Sequence, residues 1–451
     1  MVRALGTLAG WGKPRILAET QIMGPNIILD RRFRLLLRGL TFCVTCVLSF
    51  SLQAPTQESN LRSIPIAWFE EPEQHAPHWR VHFDRPTLSY SQRLVLGVQA
   101  IVPANAKELR PDWHLLLRIA DESGRWFQNY DYFRVDLRRM PPNAEPVVWH
   151  GYAFVRPGTY RIALVAYDAI NEQHFVWRKM MQVDRPSVLP DIDRNLPTVE
   201  FGDPDSIPRP IPEYIPIHTH APVRIDVVFN VTRNQQLSLT PNSPLDTFRE
   251  PYLEGAMRGA TSLLSQLAPS EGCVRVSVID ILRLKILLDR SPANAASSLN
   301  RIQQAIPSAL DNAALDVHNL VGRTKAREFF QHFLESLITD NGACVPRSPN
   351  EDHAIIVVSD SLIFAKGTER EPVSAPEHRN ALFFHVRFSY NLFYNEGRPT
   401  ATAVTTFDEV GHMLEELHPR HFDVAEPTDL RHAVAEIVKE IEASTAASAG
   451  R

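Results

Sequence analysis

The residues with chemistry to offer stand where a strand-like run stops. Val223-Arg-Ile-Asp-Val-Val-Phe-Asn-Val-Thr-Arg-Asn234 is β-branched and aromatic until it ends in the oxygen-bearing side chains of Asn230, Thr232 and Asn234. A strand ending this way delivers its last residues to a site at the carboxyl edge of a sheet. A second set, His218-Thr-His220, has the spacing by which two imidazoles at a strand end point to one side, as a metal-dependent hydrolase needs. Pro216 weakens that strand and no downstream ligand set is evident, so a surface linker is the competing reading. Ser359 and Ser361 flank Asp360, with His385, His412, His418 and His421 scattered beyond. The Gly-x-Ser-x-Gly turn of serine hydrolases and a glycine-rich phosphate loop are both missing, so no catalytic set is expected.

The elements that must position these residues follow from periodicity. From residue 222 onward helix and strand patterns alternate. Helices are predicted over 248–267, 293–306, 324–338, 407–417 and 428–441, and strands over 274–281, 354–359, 381–386 and 421–424, with 282–288 paired back as a hairpin. The alternation predicts a doubly wound α/β domain over 222–445, with Val223–Asn230 as its first and central strand and 446–451 as a disordered tail. Upstream, from about residue 64 to 183, apolar and polar residues alternate between turn signals such as Asp121-Glu-Ser-Gly124 and Arg156-Pro-Gly158. That pattern predicts antiparallel strands with one buried face, an immunoglobulin-like β-sandwich over 60–185. Six of the seven tryptophans fall between Trp68 and Trp177, as core filling or as an aromatic platform for carbohydrate. Residues 186–221 are proline-rich and are expected to be an extended linker.

Composition sets the bounds. A chain of 451 residues holds two or three domains, and 44% apolar with 22% charged residues is a globular balance. A net charge of -5 carries no basic excess of the kind a nucleic-acid binder shows. Prolines, at 35, outnumber glycines, at 19, which favours stiff connections and β-rich packing.

The N-terminus carries an address. Arg31, Arg32, Arg34 and Arg38 precede an apolar run of roughly 14 residues, Gly39 to Leu52, followed by Gln53-Ala54-Pro55. Residues 1–54 are therefore expected to be an extension and signal peptide, with Met23 as a start that gives it ordinary length, and the protein is expected in the periplasm or outside the cell. The alternative is an uncleaved signal anchor, although the run is short of the roughly 20 residues a spanning helix needs. Cleavage leaves Cys273 and Cys344, each just ahead of a predicted strand: a candidate disulfide or two buried thiols.

The order of elements after Ala221 resembles the von Willebrand factor type A domain, and in particular the A-related domains of secreted bacterial proteins. Members of that family place Asp-x-Ser-x-Ser after the first strand, a threonine in a Gly-x-Thr loop and an aspartate after the fourth strand. Here Asn230-Val-Thr232-Arg-Asn234, Gly322-Arg-Thr324 and Val358-Ser-Asp360-Ser stand at those places, and Leu430-Arg-His-Ala-Val-Ala-Glu-Ile-Val-Lys-Glu-Ile is similar to the family's last helix. The resemblance implies a metal-ion-dependent adhesion site of Asn230, Thr232, Asn234, Thr324 and Asp360, able to hold Mg²⁺ or Mn²⁺ whose open position takes an acidic group from a partner. Asn230 replaces the first carboxylate and Asn234 the second serine, so that only Asp360 is charged. The site is degenerate: it binds a divalent ion weakly or not at all.

The function implied is protein–protein interaction or adhesion by an exported, non-enzymatic protein, with no nucleic-acid partner. The loop edge bearing the five residues is the expected contact surface, and Tyr390, Phe393 and Tyr394 could extend it as an aromatic patch, form a covered edge or lie in a mobile loop. Two readings compete: a metal-dependent hydrolase using His218 and His220, and a structural envelope component without a ligand.

Overall fold

A computed structural model describes residues 65–76, 78–103, 111–137, 145–186, 196–203, 214–232, 255–293, 323–340, 352–360, 381–388, 390–395, 398–403 and 408–450, with isolated positions between them. The expected signal peptide lies outside the described residues. The chain is β-rich, and residues 66–451 form one compact unit.

The first part is two antiparallel sheets. One joins β1 (Arg80–Phe83), β2 (Thr87–Leu88), β3 (Leu94–Val102), β6 (Val147–Val155) and β9 (Val199–Phe201); the other runs in the order β5 (Asp131–Asp136), β4 (Asp112–Asp121), β7 (Gly158–Asp168), β8 (Gln173–Val183). Alternate residues of both sheets meet in a single core: Leu96, Val98 and Ala100 of β3 lie with Leu115, Leu117 and Ile119 of β4 and Ile162 and Leu164 of β7. Two-residue periodicity is what lets each strand turn one apolar face inward. Trp113, Trp149 and Trp177 are buried in this core, whereas Trp68 and Trp126 lie outside it, against Tyr167 and Phe69.

The second part is a six-stranded sheet in the order β14 (Lys285–Pro292), β13 (Gly272–Asp280), β11 (Val223–Asn230), β15 (Asp352–Asp360), β16 (Ala381–Phe388), β19 (Arg420–Val424), parallel except for β14. All eight residues of β11 are buried, which is why it reads as a near-continuous apolar run. Both faces are covered. On one lie helix α1 (255–264) and helix α4 (Pro427–Ala449), through Leu263, Leu264, Leu430, Val434 and Ile437. On the other lie α2 (Arg323–Thr339), through Phe330, Leu334 and Leu337, and the short α3 (Glu409–Met413), through Val410 and Met413. Burying one such side chain is worth about 1.5–3 kcal/mol. In register, Asn230 stands opposite Ile279 on β13 and Ser359 on β15, so the carboxyl ends of three strands share one rim.

The two parts are joined directly. The tip between β2 and β3 reaches the end of β19 and the start of α4: the Tyr90 hydroxyl donates to the Ala425 carbonyl at 3.0 Å and Gln92 Nε2 to the Pro427 carbonyl at 3.2 Å. Tyr90 also meets Phe388 edge-on, with ring centroids 6.2 Å apart. A Cβ on Gly259 of α1 would sit 2.4 Å from the Tyr90 carbonyl oxygen, so only glycine permits this approach.

Two segments differ from expectation. Within the expected linker 186–221, Val199–Phe201 adds β9 to the sandwich and Ile215–Ile217 forms β10, paired in parallel with β12 (Leu267–Pro269). Each is three residues long, too short for periodicity to detect between prolines. The expected tail at 446–451 is helical up to Ala449, because Ser448 Oγ donates to Asp352 Oδ1 at 2.9 Å and the intervening alanines favour helix. The segment with Tyr390, Phe393 and Tyr394 is a hairpin of β17 (Tyr390–Asn395) and β18 (Arg398–Ala403).

Candidate functional site

At the rim, Asn230 is 0% exposed and its amide oxygen is the focus of three donors: the Thr232 hydroxyl at 2.6 Å, the Thr232 main-chain N–H at 3.3 Å and the Ile281 N–H at 3.5 Å. Thr232, also buried, accepts from the Ile281 N–H at 2.8 Å and lies 3.2 Å from Asp280 Oδ1. Asp280, the last residue of β13, is held in turn by the Arg283 N–H at 3.1 Å. Asp360 closes β15 beside Ser359 and is buried as well. Asn230 and Asp360 thus end adjacent strands, with Thr232 two residues beyond Asn230. Thr324 is in the first turn of α2 and is exposed; Asn234 lies outside the described residues. Asp280 was not foreseen, although Val-Ile-Asp at the end of an apolar strand is the same signal that marked Asn230.

Asn230 does not present its oxygen to a divalent cation. Hard cations need several oxygens facing one point. The Asn230 oxygen is already turned to N–H and O–H groups, and the atom left without a partner is its Nδ2, a hydrogen-bond donor. Among the described residues no three of His, Cys, Asp and Glu gather as a metal would need.

Beside Asn230 a second polar chain begins. Ser359 Oγ is 2.9 Å from His385 Nε2, and His385 Nδ1 is 3.1 Å from His421 Nδ1. Asp408, which caps α3 through the Val410 and Gly411 N–H groups, comes to 3.8 Å from His385 Nε2. Burial, helped by the neighbouring His421 and Arg387, pushes His385 down to about 3, so it is neutral at ordinary pH and one ring of the histidine pair donates to the other. A serine and a histidine meet here that sequence spacing left apart. Ser359 and His385 are both fully buried, and the imidazole is a weak base there.

At the opposite end of the same sheet face lies an ionic cluster. Arg275 grips Asp226 with two bonds of 2.7 and 2.8 Å and reaches Asp340 at 2.6 Å. His353 Nε2 is 2.8 Å from Asp226, and its Nδ1 is 3.2 Å from Arg224 Nη2. Arginine only donates, so His353 Nδ1 accepts and its proton sits on Nε2, toward Asp226. Burial pushes the Asp226 carboxyl up, but His353 and Arg275 together outweigh it and hold it low; burial also lowers His353. Arg224 donates to the carbonyl of Asp340, just beyond the end of α2, where a cation suits the helix dipole.

His218 and His220 are exposed, and it is their main-chain N–H groups that bond, to Glu442 and Thr445 of α4. Cys273 is disulfide-bonded; Cys344 lies outside the described residues. Among the described residues no helix is long and apolar enough to cross a membrane.

No family model matches the chain, and no curated protein matches it. Solved structures resemble it faintly. A C-terminal domain of wzt is 10% identical, with 28% of this chain and 89% of that one covered at a TM-score of 0.14. A β-glucuronidase of Bacteroides uniformis is 9% identical, covering 76% and 45% at 0.18. A family 123 glycoside hydrolase of Clostridium perfringens is 7% identical, covering 62% and 67% at 0.19. Superpositions this loose carry no inference about fold or activity.

Proposed function

We propose that this is an exported recognition protein in which a von Willebrand A-like module, doubly wound, engages a protein partner through the rim of Asn230, Thr232, Asp280 and Asp360, with an immunoglobulin-like sandwich behind it. The strand order carries the reading. Numbered from β11 as the first strand, the sheet runs 3-2-1-4-5-6 with strand 3 antiparallel, so the order reverses at β11, between β13 and β15. Ligands of open α/β sheets bind outside the carboxyl ends of strands at such a reversal. The Tyr160 hydroxyl, which donates to the Arg156 carbonyl at 2.9 Å, supports the sandwich assignment, since immunoglobulin-like sandwiches tie this corner in the same manner.

Recognition suits the rim better than catalysis, because its hydroxyl and imidazole groups are bonded to each other and buried. The test is capture of a partner by the full chain and by three variants. Asp360→Ala is expected to lose the partner, while His218→Ala retains it. Capture that survives Asp360→Ala and Thr232→Val would contradict the reading. Zinc bound stoichiometrically and lost in His218→Ala would favour the hydrolase instead.

A further inference from the structure

The six-stranded sheet has two edges, and they are finished differently. At one, β19 presents Arg420, His421 and Asp423; Arg420 is held by Glu436 and Glu440 of α4, and Asp423 by Arg387 of β16 at 2.7 Å. A strand edge that carries charges in this way resists pairing with another chain. At the other edge, β14 and the turn before it leave Leu284, Ile286 and Leu287 36%, 46% and 40% exposed. Among the described residues no other stretch of four holds three exposed large apolar side chains, and no strand pairs with the outer side of β14.

The local backbone sets which residues are open to pairing. Leu284, at φ 51°, and Arg290, at φ 44°, are both left-handed, a conformation that interrupts an extended strand. Between them lie the five residues Lys285–Asp289. Leu287 has no partner on β13, because the register shifts between Val278, opposite Leu288, and Ile279, opposite Ile286. Such a bulge re-aims side chains, and here the neighbours Ile286 and Leu287 are both exposed. Asp289 meets the adjacent Arg290 at 3.3 Å and stays half exposed, while Arg290 reaches inward to Ser336 of α2 at 2.6 Å.

Five residues can pair with a copy of themselves in one way that uses all of them and matches their charges: antiparallel, about a twofold axis at Leu287. Lys285 then stands opposite Asp289 of the second copy, twice over, and Ile286 opposite Leu288. A parallel pairing would set lysine on lysine and aspartate on aspartate, and like charges directly opposite are unfavourable. The edge is complementary to itself in one orientation, as a twofold interface requires.

We propose that β14 is a self-association surface, at which two copies of this chain meet edge to edge through Lys285–Asp289. A lysine and a bulge guard an edge against indiscriminate pairing; a second copy answers the lysine with an aspartate and covers the apolar residues between. A contact of this length buries less than a permanent interface does, so the dimer dissociates on dilution. It does not depend on the reading of the rim.

The full chain is followed by sedimentation velocity over a concentration series, beside Lys285→Asp, Asp289→Lys, the double swap and Leu287→Lys. The native chain is expected to pass from monomer to dimer. Each single swap is expected to raise the dimer Kd about tenfold, because two attractive pairs become repulsive, and the double swap to restore it. Leu287→Lys, which brings two lysines together on the axis, is expected to stay monomeric. Recovery in the double swap separates a lost contact from a misfolded chain. A native chain that remains monomeric up to about 1 mM, the limit of a weak association, overturns the proposal. So does a dimer indifferent to both single swaps, whichever surface forms it.

Discussion

The two ends of one sheet face are built on opposite principles. At the amino-terminal end Arg224, Asp226, Arg275, Asp340 and His353 neutralise one another in a buried network that fastens the end of α2 to three strands. At the carboxyl-terminal end β11, β15 and β16 carry Asn230, Ser359 and His385, uncharged at ordinary pH. Burial is equal at both, so exposure does not separate structure from site. What separates them is the kind of interaction: ion pairs hold the lower cluster, and hydrogen bonds among hydroxyl, amide and imidazole groups hold the rim.

The largest effect is expected where the closure is tightest. Asp226→Ala leaves two buried arginines with Asp340 as the one remaining carboxylate and is expected to cost about 3–5 kcal/mol, read from the shift of a urea unfolding midpoint. A loss under about 1 kcal/mol would mean the network is not what fastens α2. Next is the junction, where Gly259→Ala drives a methyl into the Tyr90 carbonyl and is expected to cost about 1–3 kcal/mol by the same measurement.

Acid provides a finer comparison, because burial favours neutral histidine at both ends, His353 at one and His385 with His421 at the other. His353 and His385 both titrate below 6.5 in the folded chain, His385 at about 3. Between pH 6.5 and the folded value the unfolded chain binds more protons, so stability is full above pH 6.5 and falls as the pH drops. The slope is about 1.4 kcal/mol per pH unit for each group. Asp226, held below 3.8, adds a loss only under that value. His385→Gln is expected to flatten the curve from pH 6.5 downward, as measured by urea titrations at several pH values. A curve unchanged by the substitution would mean that His385 is charged in the folded protein.

How much of this could be read in the sequence depends on range. The central strand was legible because β11 is buried on both faces and so is apolar throughout, and Asn230 stood out as the place where that run breaks. Arg224 and Asp226 sit in the same run, and their partners Arg275 and His353 are equally isolated charges in apolar strands. Pairing them needs the register between strands that lie about 50 and 130 positions away, which no local pattern supplies. Ser359 and His385 were hidden for the same reason. The linker assignment missed β9 and β10 because three residues between prolines have no period to detect.

The central claim is that the rim engages its partner without a metal ion. Calorimetric titration of Mg²⁺ into the native chain and into Asn230→Asp tests it most directly. The native chain is expected to give no binding heat at millimolar Mg²⁺, while Asn230→Asp, which adds a carboxylate between Asp280 and Asp360, is expected to bind the ion. Saturable Mg²⁺ binding by the native chain, abolished in Asp360→Ala, would contradict it.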